Sequence, residues 1–208
     1  LITLNKASLF DPEQLVSVYT YPDYIALIES LVKEGKTTGP SQTEALAHYT
    51  KLNLARMQRL NKTVQIKKSL EETIKSIQSP QKWYVLTEAW CGDAAQSIPV
   101  IAKLAELNPQ ITLQLLLRDD NPEVMDQYLT NGGRSIPKLI VLDADDNEIF
   151  NWGPRPAGAQ AVFNEFKKEP GRPFAELAEA IQKWYNSDKT YSIQDEIGEG
   201  LKKTSRLP

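Results

Sequence analysis

The sequence predicts an α/β fold in which a mixed central sheet is flanked by helices, with a helical extension in front of it. Three observations point there. Strand-like and helix-periodic runs alternate from Trp83 onward. The alternation ends in two strand-like runs, KLIVLD and EIFNW, separated by the turn residues ADDN, which is a hairpin signal. The first sixty or so residues read as helical. The division that follows is an N-terminal helical extension over residues 1–61, an α/β domain over 62–188, and a polar C-terminal tail over 189–208.

In the extension, DPEQLVSVYTYPDYIALIESLVKEGK offers Asp11 as an N-cap and Pro12 at the first helical position, and Gly35 closes the run. Pro22 interrupts it, which predicts two helical pieces. TTGPSQ is a turn cluster, after which Ser41 or Thr43 can cap a second helix. Leu46, Tyr49, Met57 and Leu60 recur in that helix near the 3.6 period, with Asn53 and Arg56 beside them, so one face needs burial. TVQIKKSLEETIKSIQ reads as a short strand and a helix or as one helix throughout; periodicity leaves both open. WYVLTE is then a strand, AAQSIPVIAKLAEL a helix, ITLQLLLR a strand, and NPEVMDQYLTNGG a helix closed by glycines. After the hairpin, GRPFAELAEAIQKWYNS supplies a last amphipathic helix, and TYSIQDEIGEGLKKTSRLP is the polar tail.

Composition narrows the function classes. Of 208 residues, 41% are hydrophobic and 25% charged, the balance of a globular chain with a real core. The net charge of -3 comes from interspersed acids and bases, so no nucleic-acid partner is expected. No apolar run nears the roughly 20 residues of a spanning helix, so no membrane partner is expected either. One cysteine and one histidine rule out an intrachain disulfide framework and argue against a structural metal site; no metal and no cofactor is expected. The lone thiol and the absence of a signal-peptide pattern in LITLNKASLF make a cytoplasmic location the expectation. The short basic runs EFKK and GLKK read as solvated faces.

That lone cysteine stands in TEAWCGDAAQSIP. A strand ending at Glu88, a tight turn and a helix starting near Asp93 put Cys91 at a helix N-terminus, where unpaired amides and the helix dipole favour a thiolate. Glu88, before it, and Asp93, after it, oppose a second negative charge. The sequence leaves the net sign open.

VLTEAWCGDAAQSIPVIAKLAE resembles the active-site strand, turn and helix of the thioredoxin family, with Trp90, Cys91 and Gly92 matching its Trp-Cys-Gly and Pro99 matching the proline of its active-site helix. GRSIPKLIVLD resembles the family's second hallmark, a cis proline opening a strand, here Pro137. The clear resemblance runs from Trp83 to about Trp152, and a weaker one from Lys62 to Ser187. It implies a thioredoxin-like fold, with Cys91 as catalytic nucleophile, Trp90, Gly92, Asp93, Ala94 and Glu88 supporting it, and Ile136 and Pro137 exposing backbone to which an extended peptide can pair. TTGPSQTEALAHYTKLNLARMQRLNK and NWGPRPAGAQ resemble segments of an uncharacterised bacterial branch of that family with an N-terminal helical extension, which implies no substrate.

The departures matter as much. The family's second cysteine falls at Ala94, and its buried acid falls near Val85, so the chain cannot release a mixed disulfide by closing its own. Two functions are therefore expected, the first preferred and the second its alternative. In the first, Cys91 is a monothiol that forms mixed disulfides with a protein or low-molecular-weight thiol substrate and is resolved by an external thiol; in the second, the chain is a redox-inactive peptide- or protein-binding module. A single-cysteine peroxide chemistry, with Thr87 and Arg134 as polarising groups, is a third. Arg118, Arg134 and Arg155 read as a basic rim or as ordinary salt-bridge partners, the latter preferred. His48 reads as a solvated imidazole, Asp93 as a helix-terminus stabiliser, and Trp90 and Trp152 as packing aromatics. Oligomeric state is left open.

Overall fold

The strand WYVLT has no polar face, and the fold is organised by the need to cover both of its sides. In the computed structural model, which describes residues 9–204, strand β2 (Gln81–Thr87) is buried from Trp83 through Thr87. It pairs in parallel with β3 (Ile111–Leu117) and antiparallel with β4 (Lys138–Leu142), and β4 pairs antiparallel with β5 (Glu148–Trp152). Leu115, Leu116, Leu139, Ile140 and Val141 are fully buried, as near-continuous apolar strands are when helices lie on both faces. With β1 (Val18–Tyr19) at one edge, the sheet of the described residues is mixed and five-stranded, in the order β1-β3-β2-β4-β5.

Its first strand is a correction to the wholly helical extension. Val18–Tyr19 forms β1, antiparallel to the free edge of β3 through Val18 opposite Leu116. Asp11 does not cap a helix; its carbonyl takes the amides of Gln14 and Leu15 in a turn. Helix α1 (Tyr21–Glu34) begins after Thr20, whose Oγ1 accepts the Asp23 amide, so Pro22 sits in the first helical turn instead of splitting a helix. Proline is well tolerated there because its missing N–H would have had no intrahelical partner. Gly35 closes α1 at φ 67. Helix α2 (Glu44–Thr63) is capped by Thr43 and buries Thr50, Asn53, Met57 and Leu60, while Leu46 and Tyr49 remain half-buried. The ambiguous stretch after Lys62 resolves into extended chain and helix α3 (Lys68–Lys75).

Helix α4 (Gly92–Ala105) follows β2, α5 (Pro122–Gln127) follows β3, and α7 (Phe174–Asp188) is the amphipathic helix expected after the hairpin. Two helices were not anticipated. Ala157–Lys167 forms α6, in which Gly158 lies against the Trp184 indole with no room for a Cβ. Tyr191–Thr204 forms α8, where a polar tail was expected. Ile193, Ile197 and Leu201 of α8 are buried, and Gly200 lies against the Phe150 ring of β5. Gln194 accepts the Lys67 amide at 2.8 Å and donates to the Gln65 carbonyl at 3.0 Å. Glu196 accepts both the Trp152 indole N–H at 2.6 Å and the Ala157 amide at 2.8 Å, so the segment taken for a tail caps α6. The first eight residues of the expected 1–61 extension and the last four of the expected 189–208 tail lie outside the described residues. Among the described residues no helix is long and apolar enough to cross a membrane.

Candidate functional site

Cys91 leaves β2 through the turn Glu88–Trp90 and is the N-cap of α4, with φ -79 and ψ 115. Its amide donates to the Glu88 carbonyl at 3.0 Å, and its own carbonyl takes the Ala95 amide at 3.1 Å. Sγ accepts the Ala94 amide at 3.5 Å and donates its proton to the Ile136 carbonyl at 3.3 Å. A thiol that donates is protonated. The side chain is buried, with 8% of its surface exposed. Burial, reinforced by the Asp93 charge, pushes the thiol pKa up to about 12; the amides of Ala94 and Asp93 and the Arg155 guanidinium pull the other way and do not prevail. The sign that the sequence left open is thus upward, because desolvation outweighs the helix terminus.

Asp93 holds more than a helix end. Its Oδ2 accepts Arg155 Nε at 2.9 Å and Nη2 at 2.7 Å, and its Oδ1 accepts the Tyr185 hydroxyl at 2.8 Å. Three elements meet at this carboxylate. Arg155 also donates to Gln160 and stacks on Phe163, and the Tyr185 phenol is pushed upward by burial and by the Asp93 charge. Glu88 is fully buried; Oε1 accepts the Asp119 amide at 2.9 Å, whereas Oε2 has no hydrogen-bond partner among the described residues. Burial raises its pKa against the pull of Thr38 and the Asp119 amide.

The turn itself is held by the extension. The Ala89 amide donates to Thr38 Oγ1 at 2.8 Å, and its carbonyl accepts Asn53 Nδ2 at 2.9 Å. Asn53 Oδ1 in turn accepts Arg56 Nη1 at 2.9 Å. Thr38 was not singled out from the sequence. The polar Asn53 on the apolar face of α2 was the available signal, since a buried amide needs a partner.

The Ile136–Pro137 peptide bond is cis, as is Gly153–Pro154, and Ile136 and Pro137 are buried beside Cys91. Ala94 is 2% exposed and Val85 fully buried, so neither a second thiol nor the family's buried acid is present at these positions. Trp90 is half-buried with the Arg118 guanidinium 5.0 Å above its ring, and Gly92 opens α4. The three arginines pair with neighbouring aspartates, Arg118 with Asp119, Arg134 with Asp126 and Arg155 with Asp93, which favours their salt-bridge reading. Thr87 is buried with its hydroxyl against Tyr24, and Arg134 is turned to Asp126, so the peroxide arrangement does not assemble. His48 is exposed on α2, its ring edge-on to Tyr49. Trp152 donates to Glu196. Among the described residues no three His, Cys, Asp or Glu side chains gather where a metal ion could be held.

Because the Ala94 amide lies 3.5 Å from Sγ, a thiol at 94 should reach Cys91. Mild oxidation of Ala94→Cys is therefore expected to give an intrachain disulfide, seen as the loss of two hydrogens by mass spectrometry; a dithiol that resists oxidation would show that the turn cannot supply disulfide geometry.

Comparison with known proteins places this geometry. A family model for thioredoxins matches residues 39–167, a span that includes α2 as well as strands β2 to β5. A protein of unknown function from Pseudomonas aeruginosa superposes with a TM-score of 0.56 at 18% identity, covering 89% of this chain and 98% of that one. An HIV epitope scaffold gives a TM-score of 0.55 at 18% identity, over 89% of this chain and 99% of its own. These likenesses speak to the fold, and no curated protein matches. With the matched span running from Gly39 through the Cys91 turn and the hairpin to Lys167, the chain belongs to the thioredoxin family.

Proposed function

We propose that this protein is a thioredoxin-fold binding module, for a peptide or protein partner, in which Cys91 serves as a neutral structural thiol. The state of that thiol carries the reading. Sγ is buried, donates to Ile136, and has its pKa pushed up to about 12, so close to neutral pH the thiolate fraction is on the order of 1 in 10,000 or less. Ala94 removes the resolving step, since no second thiol stands where it could close a disulfide with Cys91. A monothiol reading is favoured by one observation, the Ala94 amide directed at Sγ from the helix N-terminus, which is where a thiolate would be held.

Alkylation with iodoacetamide across pH 6 to 10, folded and in denaturant, separates the two. In the folded protein the rate at pH 8 is expected to be about a thousandfold below that of the unfolded chain, whose thiol returns to a pKa of about 8.5. A folded rate within about tenfold of the unfolded one would mean an accessible, partly ionised thiol, and the monothiol mechanism would replace the binding reading.

A further inference from the structure

Beside the Cys91 turn, on the side of the extension, lies a cavity of about 350 Å³ that the thiol does not line. Its size falls within the range of small-molecule sites, roughly 300–1,000 Å³. Leu46 and Tyr49 of α2, Phe163 of α6, and Leu177, Ala178 and Ile181 of α7 make its walls, and Phe174, 67% exposed, stands at its edge. Leu46 and Tyr49 are the half-buried apolar side chains that α2 left over when it buried Thr50, Asn53, Met57 and Leu60.

Among the charged side chains at the cavity, two are paired with each other and one has no opposite charge beside it. Asp93, Arg155 and Tyr185 bond to one another, and Arg155 adds Gln160. Arg56 has one side-chain partner, the neutral Asn53 Oδ1, and among the described residues no carboxylate pairs with it. It is half-buried, and burial lowers its pKa, as happens to a cation drawn out of water with no anion beside it. Its Nη1 is 3.6 Å from the place where a Cβ on Gly92 would stand, so the guanidinium lies at the first turn of α4, the positive end of that helix.

We propose that this cavity binds a small amphipathic carboxylate, an apolar body seated against Leu46, Phe163 and Ile181 with its anionic head on Arg56. An apolar wall alone selects no charge. The guanidinium does: a carboxylate gains charge-assisted hydrogen bonds from it, a neutral ligand leaves it unpaired, and a cation is repelled. The site goes beyond the peptide-binding reading and is independent of the thiol, so either can fail without the other.

Isothermal titration of the full chain with octanoate and with 1-octanol tests it, together with the chemical shift of the Gly92 amide. Octanoate is expected to bind at one saturable site and shift that amide, and 1-octanol to bind about tenfold more weakly or worse. Arg56→Gln is expected to weaken octanoate by about tenfold or more and bring acid and alcohol level. Ala178→Trp, which fills the cavity, is expected to abolish binding of both; if it does not fold, Arg56→Gln carries the test. No saturable binding of octanoate, equal affinity for acid and alcohol in the unaltered protein, or octanoate binding unchanged in a folded Arg56→Gln chain would each overturn the proposal.

Discussion

Asp93→Asn is expected to lower stability by about 3–5 kcal/mol and, in the molecules that stay folded, to bring the Cys91 pKa down from about 12. Asparagine keeps the shape of the side chain and discards its charge. Arg155, whose side chain is only 14% exposed, is then left as a buried cation without a counter-charge, and the Tyr185 hydroxyl loses an ionised acceptor. The same change removes the carboxylate that raises the thiol pKa, while the guanidinium that lowers it stays, so the Cys91 pKa falls. Urea unfolding measures the first part and alkylation of the folded protein the second. The double variant Asp93→Asn, Arg155→Met should regain a large share of the lost stability, since removing both charges leaves neither one stranded. A loss below about 1 kcal/mol in the single variant would put this ion pair in the class of exposed ones.

Ending the chain after Asp188 is expected to abolish cooperative folding. Helix α8 buries Ile193, Ile197 and Leu201, and each fully buried aliphatic side chain is worth roughly 1.5–3 kcal/mol. Their sum alone approaches the roughly 5–15 kcal/mol by which domains are stable. The truncation also strips the Glu196 acceptor from Trp152 and from the first turn of α6, and the Gln194 bonds from the chain before α3. Circular dichroism during heating reads the outcome directly. A truncated protein that melts cooperatively near the temperature of the full chain would show that α8 is an accessory. The milder Ile197→Ala, which leaves a void under an otherwise intact helix, should cost about 2–5 kcal/mol.

What was legible in the sequence follows from how local each signal is. β2 from Trp83, β3 from Leu115 and all of β4 are buried and read as short, mostly apolar runs, and the ADDN turn fixes the hairpin, with Asp146 at φ 63 and Asp143 accepting the Asn147 amide. Helix α8 is faint in the sequence although Ile193, Ile197 and Leu201 stand four apart on one face, because two glycines and a charged surround dilute its apolar stripe. β1 is two residues long, carries no pattern, and exists only because β3 offers an unpaired edge. Helix α6 depends on Gly158 meeting Trp184, a contact that no local propensity encodes.

The site divides in the same way. The N-cap position of Cys91 and the loss of a partner at Ala94 are written in consecutive residues. The Asp93 partners come from 62 and 92 positions further along the chain, and the direction of the thiol pKa depends on burial, which is a property of the packed whole.

The two hydrogen bonds that Thr38 and Asn53 make to Ala89 set a speed as well as a shape. Both polar groups of the residue two before Cys91 terminate on the extension, so the turn cannot swing away from the protein body until the segment carrying Thr38 and α2 lets go. Motion of the turn is therefore expected to be tied to opening of the extension, and hydrogen exchange at the Ala89 amide is expected to be slow like that of a packed helix instead of fast like that of a surface loop.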